Sequence, residues 1–356
     1  MKSYPHTLSV IVPCYNYGNF VSVALDSVLD QANDRVQVIA VDDCSTDNSR
    51  EIIASYGSAI TAVFHEKNLG HGGGFNSGFS AATGDFILFL DADDFLLPGA
   101  VETILGTLEP EIDVYHFRLR LADGDGGLGD LFPPEQKSLA QGDISEKLRF
   151  RGRYDATVTS GLVYSRRVLE KTLPIDTENQ AFRNSGDGYL CACAPLYGPS
   201  KTCETATAAY RIHGGNHSLF TRDLVKRARW RVLHDVARYQ TIREHAARLG
   251  LPVADNLGER DEAHLEQRIT LDLNSEEDRD PAWGRARLAI CGLRSLDRSG
   301  SFKGRFLQMV WWSVLGFAPR GVARTLLNWK QNAASRPQFV KDLALFLRAS
   351  LGLTLK

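Results

Sequence analysis

Residues 86–94 read FILFLDADD, five apolar residues followed at once by a cluster of carboxylates. A short run that is apolar throughout is typical of a strand buried on both faces of a sheet. Three further runs that are mostly apolar precede it, at residues 8–13, 36–41 and 60–64, and stretches with helix-capping residues or helical spacing separate them. This alternation predicts an α/β fold in which a mostly parallel sheet carries helices on both faces.

Carboxylates follow two of the predicted strands: Asp42 and Asp43 follow the second, and Asp91, Asp93 and Asp94 follow the fourth. In open parallel sheets, ligands bind at the carboxyl ends of the strands, where we expect these side chains to lie. Crowded carboxylates repel one another and need protons, an arginine partner or a cation. Mg²⁺ or Mn²⁺ would meet that need and would also bind phosphate oxygens. A helix N-cap for either cluster and a solvated loop for the second are alternative interpretations.

The charge of the chain is distributed unevenly. The formal net charge is −2 over 356 residues, but residues 301–356 hold nine Lys or Arg and a single Asp. That segment therefore carries +8, which leaves −10 for residues 1–300. Such asymmetry predicts that the C-terminal end meets an anionic surface.

Several features of the sequence predict a cytoplasmic protein. The six cysteines form no CxxC pair and no zinc-binding spacing, which indicates reduced thiols. The N-terminal segment lacks an apolar region long enough for a signal peptide. The longest uncharged stretch of the C-terminal part, residues 306–319, has about 14 residues, whereas a helix needs roughly 20 to span a bilayer. We therefore expect no membrane-spanning helix.

The pattern turns helical from residue 221 onward. Residues 302–317 and 321–329 interleave tryptophan and aliphatic residues with flanking Lys and Arg, and residues 338–355 repeat apolar residues at helical spacing. Apolar faces with cationic flanks are typical of helices that lie in the headgroup layer of an anionic membrane. A helical lid on the N-terminal domain and an oligomer contact are the alternatives. Nucleic acid is not an expected partner, because the aromatic residues cluster with aliphatic residues and not along a basic groove.

Four stretches of the chain resemble, in the same order, the successive motif blocks of inverting glycosyltransferase family 2. They are LSVIVPCYNYGNFVSVALDSV (8–28), VQVIAVDDCSTDNS (36–49), the stretch from KNLGHGGG to DFLLPG (67–99) and YRIHGGNHS (210–218). The resemblance implies the GT-A fold, a Rossmann-like form of the predicted α/β architecture, to which the later pattern adds a helical C-terminal region. It also implies transfer of a sugar with inversion from a nucleoside-diphosphate-sugar, UDP- or dTDP-linked by preference, to a saccharide or lipid-linked acceptor. Bacterial surface polysaccharide or glycolipid synthesis is the expected setting.

The resemblance assigns nucleotide-binding roles to five residues. Pro13 and Tyr15 would line the nucleotide pocket. Asp43, with Asp42 as its neighbour, would accept hydrogen bonds from the base. Asp91 would approach the ribose or a metal-bound water.

Further roles concern the metal, the diphosphate and the acceptor. Asp93 would bind the metal, Mg²⁺ or Mn²⁺, while Asp94 would support it or cap the next helix. Arg211 or His213 would meet the diphosphate, and His213 is either an additional metal ligand or a structural residue. Gly161 would shape the acceptor side.

An inverting reaction needs a base that removes the proton of the acceptor hydroxyl. The Glu-Asp pair of the family corresponds here to Gly186 and Asp187, so Asp187 is the predicted base, with an ordinary N-cap as the alternative. The chain departs from the family at Gly186 and again at Phe75, where the family commonly carries a basic residue. His71 would substitute for that residue near the diphosphate or would serve as a packing residue.

The pattern predicts a catalytic domain at residues 1–220 and a helical region at 221–356. Residues 1–110 would bind the nucleotide-sugar, and 111–220 would form the acceptor side. A sugar nucleotidyltransferase is a weaker alternative, because residues 13–18 lack the Gly-rich phosphate loop that it needs after its first strand. The departures from the family pattern keep open a third interpretation, a catalytically degenerate binding module.

Overall fold

The computed structural model describes residues 6–213, 223–279, 284–296, 302–332 and 336–338. The chain divides into two compact units, which we call the sheet unit and the helical unit. The sheet unit comprises residues 1–220 and 234–257, and the helical unit comprises 221–233 and 258–356. Residues 214–218 and 339–355, which belong to the last motif block and the predicted terminal helix, lie outside the described residues.

The sheet unit is built on one sheet with nine strands among the described residues. In chain order the strands are β1 (Leu8–Cys14), β2 (Val36–Asp42), β3 (Thr61–Phe64), β4 (Phe86–Phe89), β5 (Phe95–Leu96), β6 (Val114–Ala122), β7 (Leu128–Phe132), β8 (Leu162–Ser165) and β9 (Ser200–Arg211). Across the sheet the order is β3-β2-β1-β4-β8-β6-β9-β5, and β7 pairs with β6.

One half of the sheet is parallel and the other half is mixed. Strands β3, β2, β1 and β4 are parallel neighbours, and Leu8 of β1 stands opposite both Val36 and Phe86. Beyond β4, strand β8 is antiparallel to both of its neighbours, β6 is parallel to β9, and β5 is antiparallel to β9. The predicted α/β sheet is confirmed, and its second half is less parallel than the description "mostly parallel" suggests. Antiparallel pairing needs no helical crossover, so strands as short as β5 and β8 can join the sheet from loops.

Helices accompany the strands along the chain. In the sheet unit they are α1 (Val21–Leu29), α2 (Ser49–Ser55), α3 (Gly70–Ala81), α4 (Ala100–Thr107), α5 (Ser145–Arg151), α6 (Arg166–Thr172), α7 (Gln180–Arg183) and α8 (Gly186–Cys193). Helix α9 (Leu224–Arg248) contributes residues up to 233 to the helical unit and later residues to the sheet unit.

The two faces of the sheet carry separate apolar cores. Val10 of β1 belongs to the core covered by α1, whose Val21 and Leu25 are buried at helical spacing. Ile11, the next residue, belongs to the core on the other face together with Phe75 of α3. All seven residues of β1 are buried, because helices cover the strand from both sides.

Helix α3 lies unusually close to the sheet. A Cβ atom added to Gly78 would stand 2.3 Å from Ile11 Cγ2 and 3.3 Å from Val41 Cγ2. The glycines of α3 therefore permit close packing on β1 and β2.

The described part of the helical unit consists of helices around a small core of its own. After the short helix α10 (Leu257–Arg260) come α11 (Glu262–Asn274), α12 (Arg285–Ser295), α13 (Phe302–Phe317) and α14 (Arg320–Gln331). Trp312 of α13 is fully buried, among Ile269, Leu288 and Leu327. None of the helices that the structure describes is both long and apolar enough to traverse a lipid bilayer.

The close approach of α3 predicts a cost for one added methyl group. Gly78→Ala should lower the free energy of unfolding by about 1–3 kcal/mol through overpacking, although alanine favours a helix by about 1 kcal/mol. Gly124→Ala is the matched control in the same unit, because no atom lies within 4 Å of its added Cβ. Urea unfolding measures both, and equal or higher stability of Gly78→Ala would contradict this packing.

Candidate functional site

Three carboxylates crowd together in the turn that links β4 to β5. One carboxylate oxygen from each of Asp91, Asp93 and Asp94 lies within 4.8 Å of the others. Burial raises the pKa of Asp94 well above its usual value, and the charges of Asp93 and Asp91 raise it further. Burial and the charge of Asp91 likewise raise the pKa of Asp93. A hard divalent cation fits this set, because it prefers oxygen ligands and would relieve the repulsion.

Asp94 points into the protein and holds the acidic turn in place. Its Oδ2 accepts a hydrogen bond from the Ser160 hydroxyl at 2.6 Å, and its Oδ1 accepts one from the Arg211 backbone N–H at 2.9 Å. Ser160 Oγ also accepts the backbone N–H of Asp91 at 3.1 Å. Asp91 and Asp93 are therefore the carboxylates better placed for an external ligand. The contacts of Ser160 with the turn were not predicted from the sequence.

The two candidate residues at the end of β9 both reach the acidic turn. His213 Nε2 lies 3.0 Å from Asp93 Oδ2, so the structure places this predicted metal ligand beside Asp93. Arg211 donates from Nε to the Asp93 carbonyl at 2.8 Å and from Nη1 to the Gly124 carbonyl at 3.0 Å. Its guanidinium also stands about 5 Å from the ring of Phe95. Arg211 thus clamps the turn, and its predicted contact with a diphosphate stays a prediction.

Asp43 has a clear structural function. Its two carboxylate oxygens accept the backbone N–H groups of Leu69 and Gly70, each at 2.7 Å, and His65 Nδ1 lies 2.7 Å from Oδ1. These contacts cap the start of α3, whereas the sequence suggested a cap for the helix after β2. Asp42 is fully buried and lies 3.7 Å from Arg50 Nη1. Hydrogen bonding of either aspartate to a nucleotide base stays a prediction.

Residues at the end of β1 and just after it include two predicted nucleotide-pocket residues and Tyr17, which lies near the acidic turn. Pro13 packs against Gly74 of α3, and Tyr15 is 44% exposed. Burial raises the pKa of the Tyr17 hydroxyl, and the nearby charges of Asp93 and Asp91 raise it further. Tyr17 therefore lies beside the carboxylates, a placement that was not predicted from the sequence.

Asp187 lies in the first turn of α8, and His71 connects this helix to the acidic turn. The Ser185 hydroxyl donates to Asp187 Oδ1 at 2.9 Å. The backbone N–H of Gly186 donates to His71 Nδ1 at 3.2 Å, and His71 Nε2 lies 3.1 Å from Asp91 Oδ1. The predicted base and the predicted metal-binding turn therefore border the same part of the sheet unit.

The two departures from the family pattern contact each other. Phe75 is fully buried and stacks on Phe89, with ring centroids 3.7 Å apart. A Cβ atom at Gly186 would lie 2.9 Å from the ring of Phe75. The ring thus occupies the space that a side chain at position 186 would need.

Gly161 has a packing requirement. It lies in a short 3₁₀ turn, Thr159–Gly161, and an added Cβ would stand 2.6 Å from the carbonyl oxygen of Phe117 on β6. The close approach of the Phe117 carbonyl explains why residue 161 is a glycine. The same approach fixes the position of the neighbouring residue, Ser160. An acceptor-side role for Gly161 stays a prediction.

Sequence comparison identifies the class of protein that this sheet and acidic turn define. Residues 9–171 match the family described as glycosyl transferase family 2. An uncharacterized glycosyltransferase of Nostoc sp. is 37% identical over 218 residues, which cover 60% of this chain and 66% of that protein. The uncharacterized glycosyltransferase YibD of Escherichia coli is 36% identical over 117 residues, 32% of this chain and 34% of that protein. The chain belongs to glycosyl transferase family 2, and it spans about one third to two thirds of these curated relatives.

Solved structures share the fold at low sequence identity. S. aureus TarS 1–349 in complex with UDP-GlcNAc has a TM-score of 0.51 and 17% identity, with 91% of each chain covered. The mannosyltransferase PcManGT from Pyrobaculum calidifontis, in complex with GDP-Man and Mn²⁺, has a TM-score of 0.50 and 16% identity, covering 96% of this chain and 88% of that chain. The predicted GT-A fold, with helices after the sheet, is confirmed.

Because the pKa values of Asp93 and Asp94 are raised in the folded protein, the folded state favours the protonated form of both carboxyl groups. This contribution to stability is lost as the pH rises through those pKa values. A divalent cation would restore it by neutralising the ionised carboxylates, and protons would compete with the cation. Mn²⁺ at about 100 times its Kd should add about 2.7 kcal/mol of stability. The rise in Tm should be larger at about pH 8 than at about pH 5.

Thermal unfolding of EDTA-treated protein, with and without MnCl₂, measures this effect. Asp93→Asn should remove most of the metal-dependent rise. An unchanged Tm for the unsubstituted chain at the higher pH would contradict a metal site in the acidic turn.

Proposed function

We propose that this chain is a metal-dependent glycosyltransferase that moves a sugar, with inversion, from a nucleoside-diphosphate-sugar to an acceptor hydroxyl. The observation that supports this best is the connection from Asp91 through His71 to the start of α8, which carries Asp187. A donor held at the acidic turn would then have its reacting carbon near a carboxylate suited to act as a base. Residues 1–220 would form the catalytic domain.

The donor would bind across the carboxyl ends of the parallel strands. Asp93 and Asp91 would hold Mg²⁺ or Mn²⁺, with His213 available beside Asp93. The cation, when bound, supplies positive charge that stabilises the departing diphosphate. Pro13, Tyr15 and the Asp42–Asp43 pair would surround the nucleotide.

Asp187 would act as the base. The acceptor oxygen attacks the anomeric carbon on the face opposite the diphosphate, the bond to the diphosphate oxygen breaks, and the hydroxyl proton passes to the Asp187 carboxylate. Ser185 orients this carboxylate by donating to Oδ1. We assign the other oxygen, Oδ2, to the acceptor hydroxyl.

The nucleotide-sugars bound to the two similar structures, UDP-GlcNAc and GDP-Man, support a nucleoside-diphosphate-sugar donor. We favour a UDP- or dTDP-sugar and a saccharide or lipid-linked acceptor in bacterial surface polysaccharide or glycolipid synthesis. A degenerate binding module or a sugar nucleotidyltransferase would not release nucleoside diphosphate from a nucleotide-sugar. Metal-dependent release of that product, with water as the acceptor, therefore distinguishes the proposal from both.

The role of Asp187 predicts a selective loss of turnover. Asp187→Asn should lower the rate of nucleoside-diphosphate release by about 10²-fold or more, because the amide cannot take the proton. The Kd for UDP with Mn²⁺ should change little, since Asp187 lies outside the predicted nucleotide pocket. Calorimetry and a coupled diphosphate assay measure the two quantities.

Glu178→Gln is the matched control, because it changes an exposed carboxylate just before α7 to an amide. It should keep both the rate and the affinity. A fully active Asp187→Asn variant would eliminate Asp187 as the base.

We also propose that α13 docks on an anionic membrane, at the inner face of the cell membrane in a cytoplasmic protein. Phe302, Phe306 and Phe317 are 77%, 52% and 60% exposed, and Met309 and Val310 are exposed on the same helical face. Residues 301–356 carry a net charge of +8, which anionic headgroups would attract. Lipid is therefore favoured over a second copy of this equally basic segment.

Two glutamates on this exposed face of α13 should abolish docking on the membrane. Phe306→Glu with Val310→Glu should remove binding to vesicles that contain phosphatidylglycerol, because it replaces apolar contacts with repelled charge. Vesicle flotation measures binding. Leu233→Glu with Val236→Glu is the control with the same charge change at exposed apolar residues of α9, and it should still float.

Flotation of the Phe306→Glu, Val310→Glu variant would contradict membrane docking by α13. A concentration-dependent mass that only this variant loses would indicate an oligomer contact instead.

A further inference from the structure

His71 makes two hydrogen bonds to parts of the chain that carry different tasks in the proposed reaction. Nε2 lies 3.1 Å from Asp91 Oδ1 in the acidic turn, and Nδ1 lies 3.2 Å from the backbone nitrogen of Gly186 at the start of α8. Asp91 is 20 residues from His71 in the sequence and Gly186 is 115 residues away. The imidazole is therefore a direct connection between two remote segments.

The chemistry of the partners fixes the direction of both hydrogen bonds. The Gly186 N–H can only donate, so Nδ1 must accept and carry no proton. The ring proton of neutral His71 then lies on Nε2, which donates to the Asp91 carboxylate. The two contacts together therefore make Nδ1 the acceptor and Nε2 the donor.

Each hydrogen bond has a separate physical consequence. The first N–H groups of a helix have no partner within the helix, and Nδ1 satisfies that of Gly186 in the first residue of α8. The Nε2–H bond uses one oxygen of Asp91 and so limits the orientations of that carboxylate. One ring thus controls the direction of Asp91 and the start of the helix that carries Asp187.

The backbone just before His71 and the ring of His71 are both held in place. Gly70 donates its N–H to Asp43 Oδ2 at 2.7 Å and has a positive φ of 78°. A Cβ atom at Gly70 would lie 2.4 Å from the carbonyl oxygen of Arg183. The His71 ring also meets Phe75 edge-on, with centroids 4.4 Å apart. A side chain held in this way suits a positioning function.

We propose that His71 is a positioning residue that couples the metal–nucleotide site to the base through its two ring nitrogens. The inference rests on the proposed glycosyltransferase function and deepens it. It replaces the two interpretations from the sequence, a diphosphate contact and a packing residue, because both nitrogens already bind within the protein. The two hydrogen bonds of His71 can be tested separately by substitution.

Two amide substitutions each keep one of the two bonds. His71→Asn places an amide oxygen near the position of Nδ1, so it keeps the Gly186 contact and loses Asp91. His71→Gln places an amide nitrogen near the position of Nε2, so it keeps the Asp91 contact and loses Gly186. The pair is a matched comparison at a single site, because both side chains are neutral amides.

Two measurements separate the variants. Calorimetric Kd values for UDP and for GDP in the presence of MnCl₂ report the state of Asp91 without any turnover. The rate of nucleoside-diphosphate release at saturating UDP-sugar reports the placement of Asp187. His71→Asn should weaken metal–nucleotide binding by about 10-fold or more while the saturated rate stays within about 3-fold. His71→Gln should lower the saturated rate by about 10-fold and leave the Kd nearly unchanged.

A double substitution adds an independent check. If His71 acts on nucleotide binding through Asp91, then His71→Asn should have little further effect on the Kd of an Asp91→Asn variant. Equal losses of affinity and rate in both single variants would overturn the proposal and indicate a structural role. So would additive losses of affinity in the double variant.

Failure of the proposed function has a different signature. In that case the unsubstituted chain itself would bind no nucleotide with Mn²⁺ and release no diphosphate. If one of the two His71 variants has a strongly lowered Tm, the other variant alone tests the proposal. This is possible because each variant is expected to change only one of the two quantities, the Kd or the saturated rate.

Discussion

Electrostatic repulsion among three carboxylates at the end of β4 is the constraint on which the site depends. Asp91, Asp93 and Asp94 have oxygens within 4.8 Å of one another, and two of them are buried. Neutral donors hold Asp94 and the positive guanidinium of Arg211 holds the backbone of the turn, but these contacts leave the cluster strongly acidic. Burial and the close spacing of the carboxylates therefore raise the pKa values of Asp93 and Asp94, and protons or a cation would relieve the repulsion. Such a cluster of carboxylates could hold a metal ion.

The architecture of the first half of the chain could be predicted because it follows from local patterns. Mostly apolar runs became β1 to β4, and the carboxylates at the ends of β2 and β4 gathered at one edge, as a parallel sheet requires. The mixed half could not be predicted in the same way. Strand β5 has two residues and β8 has four, too few for a period to be recognised, and their partners are remote in the sequence.

The candidate site was predictable in its acidic residues but not in the contacts that place them. Ser160 binds Asp94 across 66 positions of sequence, and the two departures from the family pattern, Phe75 and Gly186, meet as ring and glycine. Considered alone, each departure suggests that a functional side chain has been lost. In the structure the two residues pack against each other. Spacing along the chain carries no information about such pairs, because only the folded backbone brings them together.

The close seating of α3 on the sheet has a consequence for how the protein can move. A helix whose glycines leave no room for a methyl group has no space to slide or tilt without breaking its contact with β1. Any ligand that binds beside α3 would then be accommodated by loops and by rotation of side chains, while the helix itself stays in place. Sequence changes that alter which ligand binds there would be confined to those loops for the same mechanical reason.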